Sequence, residues 1–131
     1  MLSIFFIIVS VSVSTVSKNA EKKEIENFLE QLSSDFYYAQ IFAISNGLNA
    51  NTSFVIDRAR SEYKVQSGIR TIFVRQIPSS ISYQQGSLDS KLTITQMGHV
   101  SAFGNWRFTT KNYKYAFVVL IGRGRHYYYE F

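Results

Sequence analysis

The chain has 131 residues, enough for one domain of ordinary size, and 46% of them are hydrophobic, which excludes an intrinsically disordered protein. It contains no cysteine, which excludes disulfide scaffolds, thiolate metal sites and cysteine nucleophiles. The net charge of +5 is unevenly spread. Residues 1–53 carry three lysines against five acidic residues (−2), whereas residues 54–131 carry eleven basic against four acidic residues (+7). The basic character therefore belongs to the C-terminal part.

The chain opens with an apolar run, MLSIFFIIVSVSVSTV, of eleven apolar and five hydroxyl residues without a charge. As a helix it would span roughly 24 Å, slightly less than the ~30 Å hydrocarbon core of a bilayer. We predict that residues 1–17 insert into a membrane. A cleaved signal peptide is one alternative, although no basic residue precedes the run and Lys18-Asn19-Ala20 is a poor cleavage site. A buried core helix is the other, although such helices usually show a polar stripe.

Residues 18–46 have the pattern of an amphipathic helix. Apolar residues recur at the i, i+3, i+4, i+7 spacing of one helical face: Ile25, Phe28, Leu29, Leu32, Phe36, Ala39 and Ala43. Asn46-Gly47 supplies a C-terminal stop signal. Neither Gly nor Pro interrupts residues 1–45, so the apolar run and the amphipathic stretch are predicted to form one helix of about 65 Å. The plain explanation of the apolar face is packing on the protein's own sheet.

From residue 53 onward, short β-type runs alternate with turn signals, which predicts an antiparallel β-sheet domain over residues 53–131. The runs cover residues 54–56, 63–65, 69–77, 92–94, 106–109, 115–121 and 125–129. The last two flank Gly122-Arg123-Gly124 and predict a hairpin. A helix followed by consecutive strands predicts an α+β fold in a single domain.

The polar residues offer little for catalysis. His99 follows a glycine in a predicted turn, and His126 stands beside a tyrosine run, where we expect a surface imidazole. No nucleophile elbow and no His/Asp pairing at a recognisable spacing is present in the sequence. Asp57 and Glu62 lie among basic residues, so salt bridges across a hairpin are their expected use. No Ca²⁺-loop spacing or zinc motif is present. We therefore predict a protein without catalytic activity, metal or cofactor.

The basic C-terminus is also aromatic. The candidate DNA contacts Lys111, Lys114, Arg123 and Arg125 interleave with Tyr113, Tyr115, Tyr127, Tyr128 and Tyr129. Cations that neutralise phosphates, next to rings that stack on bases, suit nucleic-acid binding without sequence preference. The alternative is a solvated hairpin whose charges limit aggregation at the sheet edge, with the tyrosines packed on the helix.

Three stretches of the chain carry a resemblance to a known family. Residues 25–66 give a helix followed by a Tyr-x-Val strand, and residues 92–108 give a strand, a turn at Gly98, and a strand after Gly104. Residues 115–125, YAFVVLIGRGR, give a terminal hairpin with a glycine-arginine turn. In this order behind an apolar helix, they resemble the type IV pilin fold, in particular its GspH/FimT branch and the ComGD-like minor pseudopilins of competence pili.

The resemblance implies a long N-terminal helix, apolar in its membrane half and amphipathic in the other, packed on a small antiparallel β-sheet domain. It implies a minor pilin-like structural subunit of a competence type IV pilus, required for pilus assembly and for uptake of extracellular DNA in transformation. The anchor would pass the cell membrane once, with the β-domain extracytoplasmic at the cell surface. Implied partners are other competence pseudopilins, the prepilin peptidase, the membrane and extracellular DNA. The filament assembly helix would use Ile4, Phe5, Ile7, Ile8, Val11, Ile25, Phe28, Leu29 and Leu32.

The prepilin processing site of this family is a short basic leader, then Gly-Phe, then a glutamate. Residues 1–131 do not contain it, and we expect it upstream of Met1, which would then lie inside the mature helix. Two rival functions remain open. One is a minor pseudopilin of a type II secretion system, with the same fold. The other is a secreted binding protein whose first residues are a cleaved signal peptide.

Overall fold

The computed structural model of the chain describes residues 2–46, 51–120 and 125–131, with side chains for residues 19–45 of the first range. One helix and eight strands lie in these ranges: α1 (Leu2–Asn46), β1 (Thr52–Asp57), β2 (Glu62–Ser67), β3 (Arg70–Gln76), β4 (Ser82–Gln85), β5 (Lys91–Ile94), β6 (Gly104–Thr109), β7 (Lys114–Val119) and β8 (His126–Glu130). The α+β class and the single unbroken helix predicted from the sequence are confirmed.

The strands form two four-stranded sheets. Sheet A has the order β3-β2-β1-β5 and sheet B the order β4-β6-β7-β8, and every strand pair in the described residues is antiparallel. All seven predicted β-type runs correspond to strands. Strand β4 was not predicted, because SYQQ is short and polar and only Tyr83 turns into the core. The predicted turn over residues 122–124 lies outside the described residues.

The apolar stripe of α1 packs on both sheets. All seven of its predicted residues are buried, from Ile25 to Ala43. The ring of Phe28 contacts Tyr63 of sheet A, with centroids 6.1 Å apart, and Phe108 of sheet B, at 5.1 Å. The helix therefore closes the core against the inner faces of both sheets.

This packing changes the expected use of part of the assembly helix. Ile25, Phe28, Leu29 and Leu32 were expected to meet the helices of neighbouring subunits, but their side chains are at most 7% exposed in the chain's own core. Burial against the two sheets already removes their apolar surface from water. The other assembly residues, Ile4, Phe5, Ile7, Ile8 and Val11, have side chains outside the described part. Their role stays a prediction.

No helix within the described residues has both the length and the hydropathy needed to cross a bilayer.

A stack of aromatic rings crosses the core from one sheet to the other. Neighbouring rings are 5.3–5.9 Å apart at interplanar angles of 16–25°, in the order Tyr63, Phe54, Trp106, Phe117 and His126. Offset stacking of this kind is the favoured arrangement of aromatic pairs. Phe36 of α1 lies against four of these rings, at 5.0–6.5 Å. Because Phe54 belongs to sheet A and Trp106 to sheet B, their contact joins the two sheets.

The segment between β4 and β5 is held to strand β6 of sheet B by two hydrogen bonds between Ser87 and Asn105. Ser87 N–H donates to Asn105 Oδ1 (3.1 Å), and Asn105 N–H donates to Ser87 Oγ (3.0 Å). A Cβ on Gly86 would lie 1.9 Å from Asn105 Oδ1, so only glycine fits beside it. Gly104 begins β6 at φ +147°, a region that side chains rarely adopt, and this explains the glycine that the sequence pattern placed there.

We predict that Phe36→Ala lowers the free energy of unfolding by about 3–5 kcal/mol, because it leaves a cavity against four rings. The control is Tyr37→Ala, which removes a neighbouring ring that is 60% exposed and is expected to change it by about 0.5 kcal/mol or less. Urea unfolding of the full chain in a nonionic detergent measures both. Equal losses from the two substitutions would show that the ring stack does not centre on Phe36.

Candidate nucleic-acid interface

Sheet B has an inner face toward α1 and an outer face away from it. The pairing registers place Trp106, Phe117 and Tyr128 in one inner row. Side chains alternate along strands, so the residues between them point outward: Ser82, Gln84, Asn105, Arg107, Thr109, Lys114, Ala116, Val118, Tyr127 and Tyr129. We call this set, with Phe131, the outer face. Phe131 belongs to it because its N–H donates to the carbonyl of Lys114 (2.9 Å) and its ring contacts Tyr129.

Three exposed rings line the edge of the outer face. Tyr127, Tyr129 and Phe131 are 48%, 45% and 54% exposed. Their centroids are 6.1 and 6.4 Å apart, because residues two apart on an edge strand stand on the same side. We call these three residues the ring ladder. It presents aromatic surface to solvent along the whole of β8.

Three exposed cations accompany the ring ladder. The Arg107 guanidinium lies 5.6 Å from the centre of the Phe131 ring, which is cation–π distance. Lys114 stands at the Phe131 end of the ladder. At the other end Arg125 is exposed, and its carbonyl accepts the N–H of Leu120 (2.8 Å), which extends the β7–β8 pairing by one step.

The outer face has no counter-charge of its own in the described strands. The single acidic residue of β4, β6, β7 and β8 is Glu130. It lies on the inner side, opposite Tyr115, and its carboxylate is 3.9 Å from Lys22 of α1. The outer face therefore combines positive charge with exposed aromatic rings, and none of its described side chains is acidic.

The four predicted DNA contacts do not form one cluster. Lys114 and Arg125 lie on the outer face side of sheet B. Lys111 is exposed in the β6–β7 turn beside α1, where Asn112 donates twice to Glu21 at 2.9 Å. Hydrogen bonding from Thr110, then from Asn112, lowers the pKa of Glu21, and Lys111 adds to this. Arg123 lies outside the described residues.

The tyrosines of this region divide between the two faces. Tyr127 and Tyr129 face outward, whereas Tyr115 and Tyr128 face α1. The hydroxyl of Tyr115 donates to Glu26 (3.0 Å), and burial followed by this contact raises the pKa of Tyr115. Tyr113 lies below Lys22 of α1 at cation–π distance (6.0 Å). Three of the five tyrosines, Tyr113, Tyr115 and Tyr128, thus lie against the helix, as the alternative interpretation of the sequence expected.

Sequence reasoning missed Arg107 and Phe131 as members of this surface. The available signal was the two-residue spacing of Tyr127, Tyr129 and Phe131, which marks one face of a strand. Arg107 gives no signal without the pairing register, because it lies two strands away from the ladder.

The expectation of a surface imidazole at His126 is wrong. Its ring is half-buried between Phe36 and Phe117, with centroids 5.0 and 5.4 Å away. A hydrogen bond of 2.6 Å joins its Nε2 to Ser33 Oγ of α1. The register of β8 causes this, because His126 pairs with the buried Val119 and so faces inward. His126 is a packing residue between helix and sheet.

A buried carboxylate that the sequence did not single out fixes α1 to sheet A. Asp35 is 4% exposed and accepts hydrogen bonds from Arg75 Nε (2.6 Å), Tyr63 Oη (2.6 Å) and Gln31 Nε2 (3.0 Å). Burial, and then the contact with Asp35, raises the pKa of Tyr63. The bond to Asp35 also raises the pKa of Arg75. With three donors on it, this carboxylate serves the packing of the helix.

The described side chains include no group of three His, Asp or Glu residues that could hold a metal ion. Comparison of the chain with protein-family models, with curated proteins and with solved structures gives no match. Because no comparison gives a match, the function has to be inferred from the side chains of the outer face. Ring faces and cations without carboxylates suit a polyanion that carries planar groups.

We predict that the stability contributed by Tyr63 is lost at high pH. Its pKa is raised above the ordinary value of 10.0 in the folded chain, so the contribution is complete below pH 10 and falls as the unfolded chain ionises above it. Tyr63→Phe should lower the free energy of unfolding by about 1–3 kcal/mol at pH 7, because Asp35 loses a hydrogen-bond donor. Above pH 10 the difference in free energy of unfolding between the wild-type chain and Tyr63→Phe should narrow by up to about 1.4 kcal/mol per pH unit. Urea unfolding at pH 7 and pH 11 measures this, and an unchanged difference would contradict it.

Proposed function

We propose that this chain is a non-enzymatic, pilin-like minor subunit of a competence type IV pilus that takes part in pilus assembly and in the uptake of extracellular DNA. The proposal rests on the length and the packing of helix α1. It is one unbroken helix of 45 residues that starts in the apolar run and continues into the core of an antiparallel β-domain. Along its axis residue 2 lies about 35 Å from Ile25, the first buried residue of the stripe.

The packing of α1 gives the two parts of the helix different tasks. The stripe from Ile25 to Ala43 is taken up by the chain's own core. Contacts with other competence pseudopilins would then use the apolar run, through Ile4, Phe5, Ile7, Ile8 and Val11. Serines among these residues would allow close approach and hydrogen bonds between helices in a membrane. The anchor would be single-pass, processed by the prepilin peptidase, with the β-domain extracytoplasmic at the cell surface.

The outer face supports DNA as the transported ligand. Its cations and exposed rings, free of carboxylates in the described strands, fit a polyanion better than protein cargo of mixed charge. This favours a competence pilus over a type II secretion pseudopilin. The continuous helix through residues 17–21, where a signal peptide would be cleaved, favours an anchored subunit over a secreted binding protein.

A lysine in the middle of the apolar run tests the anchor. Val11→Lys places a charge at membrane depth, at a cost of about 2.5–3.5 kcal/mol, and should shift most of the chain out of the membrane fraction and out of pseudopilin complexes. Asn19→Lys, the same change just beyond the run, should leave both unchanged. Quantitative blotting of membrane, soluble and secreted fractions of the producing cells measures this. Wild-type chain found in the medium, starting near Ser17–Glu21, would instead establish the signal peptide.

The DNA-uptake role is tested at the glycine-arginine turn. Arg123→Ala combined with Arg125→Ala should lower transformation frequency and DNA retention, because about two phosphate contacts are lost. Arg70→Ala is the control, since Arg70 is an exposed arginine on sheet A, away from the outer face. Normal transformation and normal DNA retention in the double variant would show that this turn does not contact DNA.

A further inference from the structure

We propose that the outer face of sheet B binds single-stranded DNA, with three consecutive bases stacked on Tyr127, Tyr129 and Phe131. Phosphates flanking these bases would contact Arg107, Lys114 and Arg125. The inference rests on the proposed role in DNA uptake, and it names the form of DNA that this surface takes.

The ring ladder favours bases over phosphates as its main contact. Each of the three rings is about half exposed, and none of them is needed to fill the core. Stacking on aromatic side chains is the usual way in which proteins hold single-stranded nucleic acid without reading its sequence. A row of such rings along an edge strand would hold successive bases of one strand.

The spacing of the ladder favours a single strand over a duplex. Its centroids are 6.1 and 6.4 Å apart and its rings are tilted to one another by 31° and 61°. Bases in a duplex instead lie parallel and follow each other about every 3.4 Å along a strand. One base on each ring therefore requires a strand stretched to nearly twice that rise, with its base faces free. In a duplex each base face is covered by its neighbours, so only phosphates and groove edges could reach the surface.

The cations lie where the backbone of such a strand would pass. Arg125 precedes the ladder at one end, while Lys114 and Arg107 stand at the Phe131 end. From residue 125 to residue 131 a strand extends about 20 Å, which matches three stretched nucleotides. Positive charge at both ends, with rings between, matches a short run of phosphates and bases.

Charge also argues against a second copy of the chain as the occupant. Two outer faces placed together would oppose arginine and lysine with arginine and lysine, and the described strands offer no acidic side chain on this face to pair with them. A polyanion removes that repulsion. Nucleic acid is therefore the occupant that the outer face fits.

The test measures fluorescence anisotropy of a labelled twelve-nucleotide thymidine strand and of a twelve-base-pair duplex with the full chain in nonionic detergent. The wild-type chain should bind the single strand more tightly. Tyr129→Leu should weaken this binding about 5- to 100-fold, as expected for loss of one stacked base, and change duplex binding less than twofold. Tyr129→Phe should restore it, because it keeps the ring. Tyr37→Leu, an exposed tyrosine of α1, is the matched control and should have no effect.

Salt dependence separates the cations from the rings. Lys114→Gln should reduce the slope of log affinity against log salt by about 0.7 for the single strand, whereas Tyr129→Leu should leave the slope unchanged. Thermal unfolding of every variant identifies a loss of DNA binding that comes from misfolding. If Tyr129→Leu misfolds, Tyr127→Leu provides the same test at the neighbouring ring.

Three results would overturn the inference. Equal binding of single strand and duplex, unaffected by Tyr129→Leu, would mean contact through phosphates alone, and the proposed DNA-uptake role would stand without stacking. No binding of either DNA would remove both the inference and the DNA-contact part of the proposed function. Self-association of the chain that Tyr129→Leu abolishes, with DNA binding unchanged, would assign the outer face to a second copy.

Discussion

The contact between Phe54 and Trp106 is the constraint on which the rest of the structure depends. It is the point where the stack of rings passes from sheet A to sheet B, at 5.6 Å and 25°. The indole N–H of Trp106 donates to the carbonyl of Asp89 (2.8 Å), so the largest buried side chain leaves no unsatisfied donor. With Phe36 placed against both rings, the helix and the two sheets share one core. Separate sheets of four short strands would each bury far less apolar surface.

The same core determines what sheet B shows to solvent. Because Trp106, Phe117 and His126 must face inward to join the stack, alternation turns Arg107, Tyr127 and their neighbours outward. A slip of one residue in the pairing of β8 would exchange the two sets and bury the ring ladder. Which residues lie on the outer face is therefore a consequence of the register.

Local pattern was sufficient to predict the elements, since the helical stripe of Ile25 to Ala43 and seven strands follow from periodicity and turns. Pairing between distant segments was not predictable from it. Strand β5 returns to pair with β1, and this long-range contact leaves no mark in either sequence. Asp35 accepts hydrogen bonds from Tyr63, which is 28 positions away in the chain, and from Arg75, which is 40 positions away. The inward orientation of His126 depends on its pairing with Val119. The composition of the C-terminal part indicated a surface with cations and tyrosines. Only the strand register shows which of these residues lie on the outer face and which lie on the inner face.

The two proposed activities use opposite sides of the molecule. Helix α1 covers the inner face of sheet B through Phe28 and Phe36, so subunits that meet through the apolar run of α1 would gather on that side. The ring ladder lies on the other side, beyond β7 and β8. Joining a filament would therefore leave the outer face open to DNA. Since Ile25 to Leu32 are held in the core, the orientation of the β-domain along the helix is fixed, and with it the direction in which the outer face points. The two proposed activities are in this way compatible in one small domain.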